Sequence, residues 1–148
     1  MCDTHEVLAL VLAMLAVLHA PPSFGRVIAW VVEHDPPPAG HTREEGAALL
    51  VVYGWEESRL AWNAKRGDGG LAVCAYQVHA TGSRAELLER DPYLCVRTAY
   101  AILRESYRLC GDGSGYCGAC RGKVARAIAE RREQRAAELL DRITTKYR

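Results

Sequence analysis

Apolar residues run along this chain in blocks at helical spacing, and proline- and glycine-rich breaks separate the blocks. The first block, "VLALVLAMLAVL" from Val7 to Leu18, is apolar on every side and predicts a helix over about 5–19, stopped by Pro21-Pro22. A second helix is expected from about Gly25 to His34, with Val27, Ile28, Val31 and Val32 on one side, and "DPPPAG" (35–40) breaks the chain. Thr42-Arg-Glu-Glu45 then reads as a capping box: the Thr42 hydroxyl takes an orphan amide while Glu45 reaches back to the cap amide. The helix it starts carries "GAALLVVYGWEESRL" to about residue 59.

Pattern weakens over 61–82, where Gly67, Gly69 and Gly70 surround Asp68. "LAVCAYQVHA" (71–80) has β-type residues and suits a short extended piece or a helical turn. Ser83 is expected to cap a short helix, "RAELLER". Asp91-Pro92 opens another that runs to about Leu109, with proline at the first helical position. After the loop "GDGSGYCGAC" (111–120), a long basic helix follows over 121–143. The expected fold is mainly α, with one irregular segment at 61–82 holding a small hairpin. Residues 21–148 form a single domain, preceded by an apolar segment at 1–20.

That first segment has two readings. Its 12-residue apolar run is short for a membrane span and has the length of a signal-peptide core, with a cleavage site available at Ala20. The leader "MCDTHE" lacks the usual basic residue, which favours a buried helix of the domain instead. Both stand.

A formal charge of +1 gives no overall electrostatic reason to expect a nucleic-acid partner. Bases outnumber acids from Arg121 to Arg148, enough to lie against an anionic polymer, although a solvated amphipathic helix is the simpler account. Six cysteines suit either a disulfide framework or a metal site. Cys117-Gly-Ala-Cys120 has zinc-ribbon spacing, but a ribbon needs a second such pair and none exists; disulfides are the better reading, and no metal or other cofactor is expected.

The stretch "YGWEESRL" (53–60) places Glu56 and Glu57 at the end of an apolar helix. Spacing alone does not choose which of them points inward. The negative end of the helix dipole and partial burial beside Trp55, Trp62 or Tyr76 both favour a protonated carboxyl, the form a general acid needs. A solvated helix tail is the plain alternative.

The order of features narrows this. Glu57-Ser58 closes a helix, Ala64 through Gln77 supplies a glycine-rich turn and an apolar-x-Gln stretch, and Asp91 to Leu103 opens a second helix with Asp-Pro. Over residues 42–120 the chain resembles the soluble lytic transglycosylases of the lysozyme-like superfamily. It departs from their pattern at Cys74-Ala-Tyr-Gln77, where Gly-Leu-Met-Gln is usual, and at Tyr116-Cys-Gly-Ala119 in place of a Tyr-Asn-Ala-Gly loop.

The resemblance implies an α+β lysozyme-like fold and a peptidoglycan-cleaving enzyme. Glu57 would serve as general acid and then base at the bond from N-acetylmuramic acid to N-acetylglucosamine, leaving 1,6-anhydro ends, with Glu56 as its solvated neighbour. Gln77 would hydrogen-bond the sugar or be a satisfied half-buried amide, Tyr76 and Tyr116 would stack on pyranose rings or belong to the core, and Ser58 would orient Glu57 or finish the helix. Asp68 is the candidate second carboxylate, able to activate water and make the enzyme a hydrolase; a turn aspartate that bonds its own backbone is the bland alternative. A lysozyme-like domain that binds glycan without cleaving it is the remaining alternative. The expected partner is the peptidoglycan glycan strand, with no nucleic acid, no stable membrane span and a monomeric chain. A secreted, periplasmic or cell-envelope location follows, or a phage-associated one. Outside the cytoplasm a Cys74–Cys95 bridge would pin the cleft loop, Cys110 would pair with Cys120 or Cys117, and Cys2 would leave with any signal peptide.

Overall fold

The structure, a computed structural model, describes residues 4–117, 120 and 122–146, apart from the side chains of Thr4 and Cys117. Cys2, Gly118, Ala119, Arg121 and Arg148, which enter the expectations above, lie outside the described residues. Six helices are present among those described: α1 (Thr4–Val17), α2 (Gly25–His34), α3 (Arg43–Ser58), α4 (Gly82–Arg90), α5 (Pro92–Cys110) and α6 (Lys123–Lys146). One antiparallel hairpin, β1 (Ala72–Val73) with β2 (Val78–His79), pairs Ala72 with His79 and Val73 with Val78. The fold is therefore mainly α with a small β element, as the sequence pattern predicts. No described helix is long and apolar enough to cross a membrane.

α3 is the central element. Every residue from Gly46 to Tyr53 is buried, and Gly54 with them, because α1, α2 and α6 pack around it. A helix apolar on all sides has no other stable place in water. Its start is the capping box: Thr42 Oγ1 accepts from the Glu45 amide at 3.1 Å, and Glu45 Oε2 accepts from the Thr42 amide at 2.7 Å. The first helix contributes Val7, Val11, Met14 and Leu15 to the same core.

α4 starts differently from expectation. Its cap position is Thr81 rather than Ser83, the helix begins at Gly82, and no side chain caps it. α5 opens as expected, with Asp91 accepting from the Leu94 amide at 3.1 Å and Pro92 in the first turn.

Two disulfides tie the fold together. Cys74 bridges to Cys95 and so fastens the hairpin to α5, while Cys110 bridges to Cys120 across the loop that follows α5. Such bonds belong to an oxidising compartment. Replacing Cys74 and Cys95 together by serine is expected to lower stability by roughly 3 kcal/mol, the loop-closure entropy for a separation of 21 residues. Urea unfolding of the pair variant beside the native chain measures it.

Candidate functional site

α3 ends abruptly. Arg59 and Leu60 both take left-handed backbone conformations, with φ of 59° and 55°, so the chain turns out of the helix directly after Ser58. Ser58 then fastens that end. Its hydroxyl donates to the Ala75 carbonyl at 2.7 Å and accepts from the Ala61 amide at 3.2 Å. Both contacts are to backbone, which makes Ser58 the link between helix end and hairpin.

Gly54 is what allows the hairpin so close. A Cβ there would meet the Leu60 side chain and, at 2.8 Å, the Tyr76 ring. Tyr76 fills this space, fully buried, and donates to the Leu50 carbonyl at 2.9 Å. Burial pushes its phenol far above the usual range. Of the two readings of Tyr76, sugar stacking and core packing, the structure has the second: it is a core residue and does not line the cleft. Cys74 and Gln77, at the two ends of the hairpin loop, take left-handed backbone conformations with φ of 58° and 50°.

The same turn brings Gln77 to the cleft. Gln77 Oε1 accepts from the Gly67 amide at 3.1 Å, while Nε2 donates to the carbonyls of Cys74 at 2.9 Å and Lys65 at 3.2 Å. Both amide hydrogens are therefore engaged, and only a second lone pair on Oε1 remains for a ligand. A Cβ at Gly67 would lie 2.6 Å from that oxygen, so the glycine is needed for the staple to close. Gln77 shapes the wall of the cleft more than it reaches into it.

Glu57, Asp68, Gln77, His79, Tyr116 and Arg132 line one cleft of about 480 Å³. Four of these are residues singled out from sequence. Tyr116 donates to the Tyr76 carbonyl at 2.6 Å and sets its ring edge-on to Tyr53, with centroids 5.0 Å apart. Burial, and next the proximity of Glu57, raises its phenol well above the ordinary value. Asp68 pairs with His79 at 2.8 Å on the rim, where both side chains are about two-thirds exposed, so this contact adds little to stability.

The two glutamates differ in a way opposite to expectation. Glu56, expected to be the solvated neighbour, has a side chain only 8% exposed, against 22% for Glu57. It faces α6, where three guanidinium groups meet it: Arg132 at 2.7 Å, Arg135 at 3.2 Å and Arg131 at 3.3 Å. Burial works to raise its carboxyl, but the hydrogen bonds from Arg132 and Arg131 outweigh burial and hold it below the ordinary value. Part of the basic stripe of α6 is accordingly engaged with the protein itself.

Arg132 is the site residue that sequence reading missed. Its Nη2 donates to Glu57 Oε1 at 2.8 Å and its Nε to Glu56 Oε2 at 2.7 Å, while the guanidinium lies 4.6 Å from the Tyr53 ring centroid. Glu57 Oε2 has no hydrogen bond among the described residues. A signal for Arg132 was present. Buried positions of α6 fall at Ala125, Ala129, Arg132, Ala136, Leu139 and Ile143, alternating steps of four and three, and Arg132 occupies a place in that apolar stripe. An arginine on a core-facing stripe requires a buried acidic partner, and α3 ends in two.

A second hollow of about 300 Å³ lies toward the other end of α3, where Glu45, Ala48 and Leu49 are about 12–18 Å along the helix from Glu57. Three of its polar side chains are already engaged: Glu45 in the capping box, Glu133 with both His41 and the Tyr107 hydroxyl, and Thr144 with the Leu140 carbonyl. His41 contacts Glu133 through Nε2 at 2.7 Å and the Ala39 carbonyl through Nδ1 at 3.0 Å. Burial works against its charged form, but Glu133, the Ala39 carbonyl and Glu45 outweigh burial and raise it above its ordinary 6.5. A raised histidine stabilises the fold fully below its unfolded value and ceases to as pH climbs through the folded one. The melting temperature is therefore expected to fall as pH rises from about 6 into the range above 6.5, and His41→Gln to remove that part of the slope; thermal scans across pH test it.

Among the described residues no group of three His, Cys, Asp or Glu side chains is placed to hold a metal ion. What the cleft offers is a carboxylate with one oxygen held and the other open, an aromatic wall, and a second carboxylate on the rim. No protein-family model, curated protein or solved structure matches this chain.

Proposed function

We propose that the chain cleaves the glycan strands of peptidoglycan as a lytic transglycosylase, with Glu57 as the acid and base. The observation that carries this reading is the convergence on one cleft of Glu57 at the end of the central helix, Asp68 and Gln77 from the glycine-rich turn and hairpin, and Tyr116 from the loop after α5. Glu57 and Gln77 belong to the stretches that resemble one family of glycan-cleaving enzymes, and Asp68 joins them as a second carboxylate.

The chemistry needs one carboxyl acting twice. Glu57 gives a proton to the oxygen linking N-acetylmuramic acid to N-acetylglucosamine, and the bond to C1 breaks with the electron pair leaving on that oxygen. The resulting carboxylate takes the proton of the muramyl C6 hydroxyl, whose oxygen closes onto C1. Oε2 is the oxygen available for both transfers, since Arg132 occupies Oε1. Glu56 shares the charge of Arg132, so the guanidinium is not committed to Glu57 alone. With two disulfides in the chain, the reading places it outside the cytoplasm, in the cell envelope or beyond it.

A hydrolytic outcome has one observation in its favour: Asp68 lines the same cleft as Glu57, where it would draw a proton from an attacking water. Digestion of purified sacculi separates the two by the ends of the fragments, anhydro for ring closure by C6 and reducing for attack by water.

A further inference from the structure

The cleft does not stop at Glu57. A second lobe of about 540 Å³ adjoins it, and Val78, His79, Ile102 and Gly115 line both. This lobe lies between α4, α5 and the Cys110–Cys120 bridge, and its chemistry differs from that of the first. Much of its wall is aliphatic, from Val78, Ala101, Ile102 and Leu109, beside Thr98 and the His79 that pairs with Asp68, and no Tyr, Trp or Phe among its described lining residues offers a face to a sugar ring. Ser106, at its floor, is used up: the hydroxyl donates to the Asp112 carbonyl at 2.7 Å and accepts from the Gly115 amide at 2.8 Å. Glu105 is paired with Arg108. Arg84 remains, an exposed guanidinium on the lobe without a carboxylate partner among the described residues.

An aliphatic trough with one unpaired guanidinium fits a short aliphatic chain that ends in a carboxylate. We propose that this lobe binds the peptide arm of the substrate, with Arg84 holding a peptide carboxylate. The inference rests on the reading of the cleft as a peptidoglycan site, because there the muramyl sugar beside the cleaved bond carries such an arm. The four shared lining residues let the arm pass from one lobe to the other along a continuous surface. Arg84 is then a specificity residue for peptide-bearing strands and has no part in breaking the glycosidic bond.

The test is a nuclear magnetic resonance titration with the synthetic tetrapeptide L-Ala-γ-D-Glu-L-Lys-D-Ala, which contains no sugar. Saturable shifts are expected at Thr98, Ile102 and Leu109, with affinity reduced about tenfold or more both in Arg84→Met and for the peptide with its carboxylates amidated. Arg84 is exposed, so the variant should fold as the native chain does. Absence of shifts in the lobe, unchanged affinity in the variant, or shifts there caused by a trimer of N-acetylglucosamine instead would each overturn the assignment. The readout needs no turnover. Strand cleavage without peptide binding would sink this inference alone, and peptide binding without cleavage would sink the reading of Glu57 alone.

Discussion

Glu57→Gln is expected to leave a folded protein that releases soluble fragments from sacculi at least about 100-fold more slowly, because the amide neither gives nor takes the proton. The change is nearly isosteric, and the amide oxygen still accepts from Arg132. Arg132 keeps Glu56 as its counter-ion, so no guanidinium is stranded. Equal melting temperatures with lost release would tie the loss to chemistry and not to folding. A variant as active as the native chain would remove Glu57 from the mechanism.

Arg132→Met has the opposite profile, with a large cost in stability. Both members of the Arg132–Glu56 pair have side chains 8% exposed. Removing one partner of a buried pair costs about 3–5 kcal/mol, because the other charge stays desolvated. Arg131 and Arg135 still reach Glu56 from more exposed positions, which places the expected loss near the lower figure, about 3 kcal/mol, or a drop of roughly 10 °C in melting temperature. Adding Glu56→Gln to Arg132→Met should recover much of that loss, since an uncharged amide is cheaper to bury, and a double-mutant cycle reads the coupling. The pH dependence has a definite sign as well. Glu56 is held below its ordinary value, so its contribution is complete above that value and disappears as pH falls through the depressed one. Native stability should therefore fall on acidification more steeply than that of the double variant.

Local signals made most of the fold legible. The 3.6-residue spacing located the helices, the Thr42–Glu45 pair located the start of α3, and Asp91-Pro92 located that of α5. The glycine-rich turn with β-type residues after it became a hairpin, and the Cys74–Cys95 bridge expected of a chain outside the cytoplasm fastens it to α5. Tyr76 was left open between cleft and core, because its direction depends on a loop bounded by two left-handed residues, and neither Cys74 nor Gln77 advertises that conformation. The settings of Glu56 and Glu57 were not legible either. Adjacent residues on a helix point about 100° apart, and how deeply each of the two is covered depends on a helix some 75 residues downstream. Arg132 was within reach, since it interrupts an apolar stripe that is otherwise regular. What hid it was its setting in a basic helix, where one more arginine reads as surface charge.

The most direct test of the cleft as a peptidoglycan-cleaving site is mass spectrometry of the fragments that the native chain releases from purified sacculi. Fragments ending in 1,6-anhydro-muramyl groups are expected, each lighter by one water than its reducing counterpart. Reducing muramyl ends would contradict ring closure by C6 and assign the second step to water and Asp68. Fragments of neither kind, from a protein shown to be folded, would contradict the account of the cleft altogether.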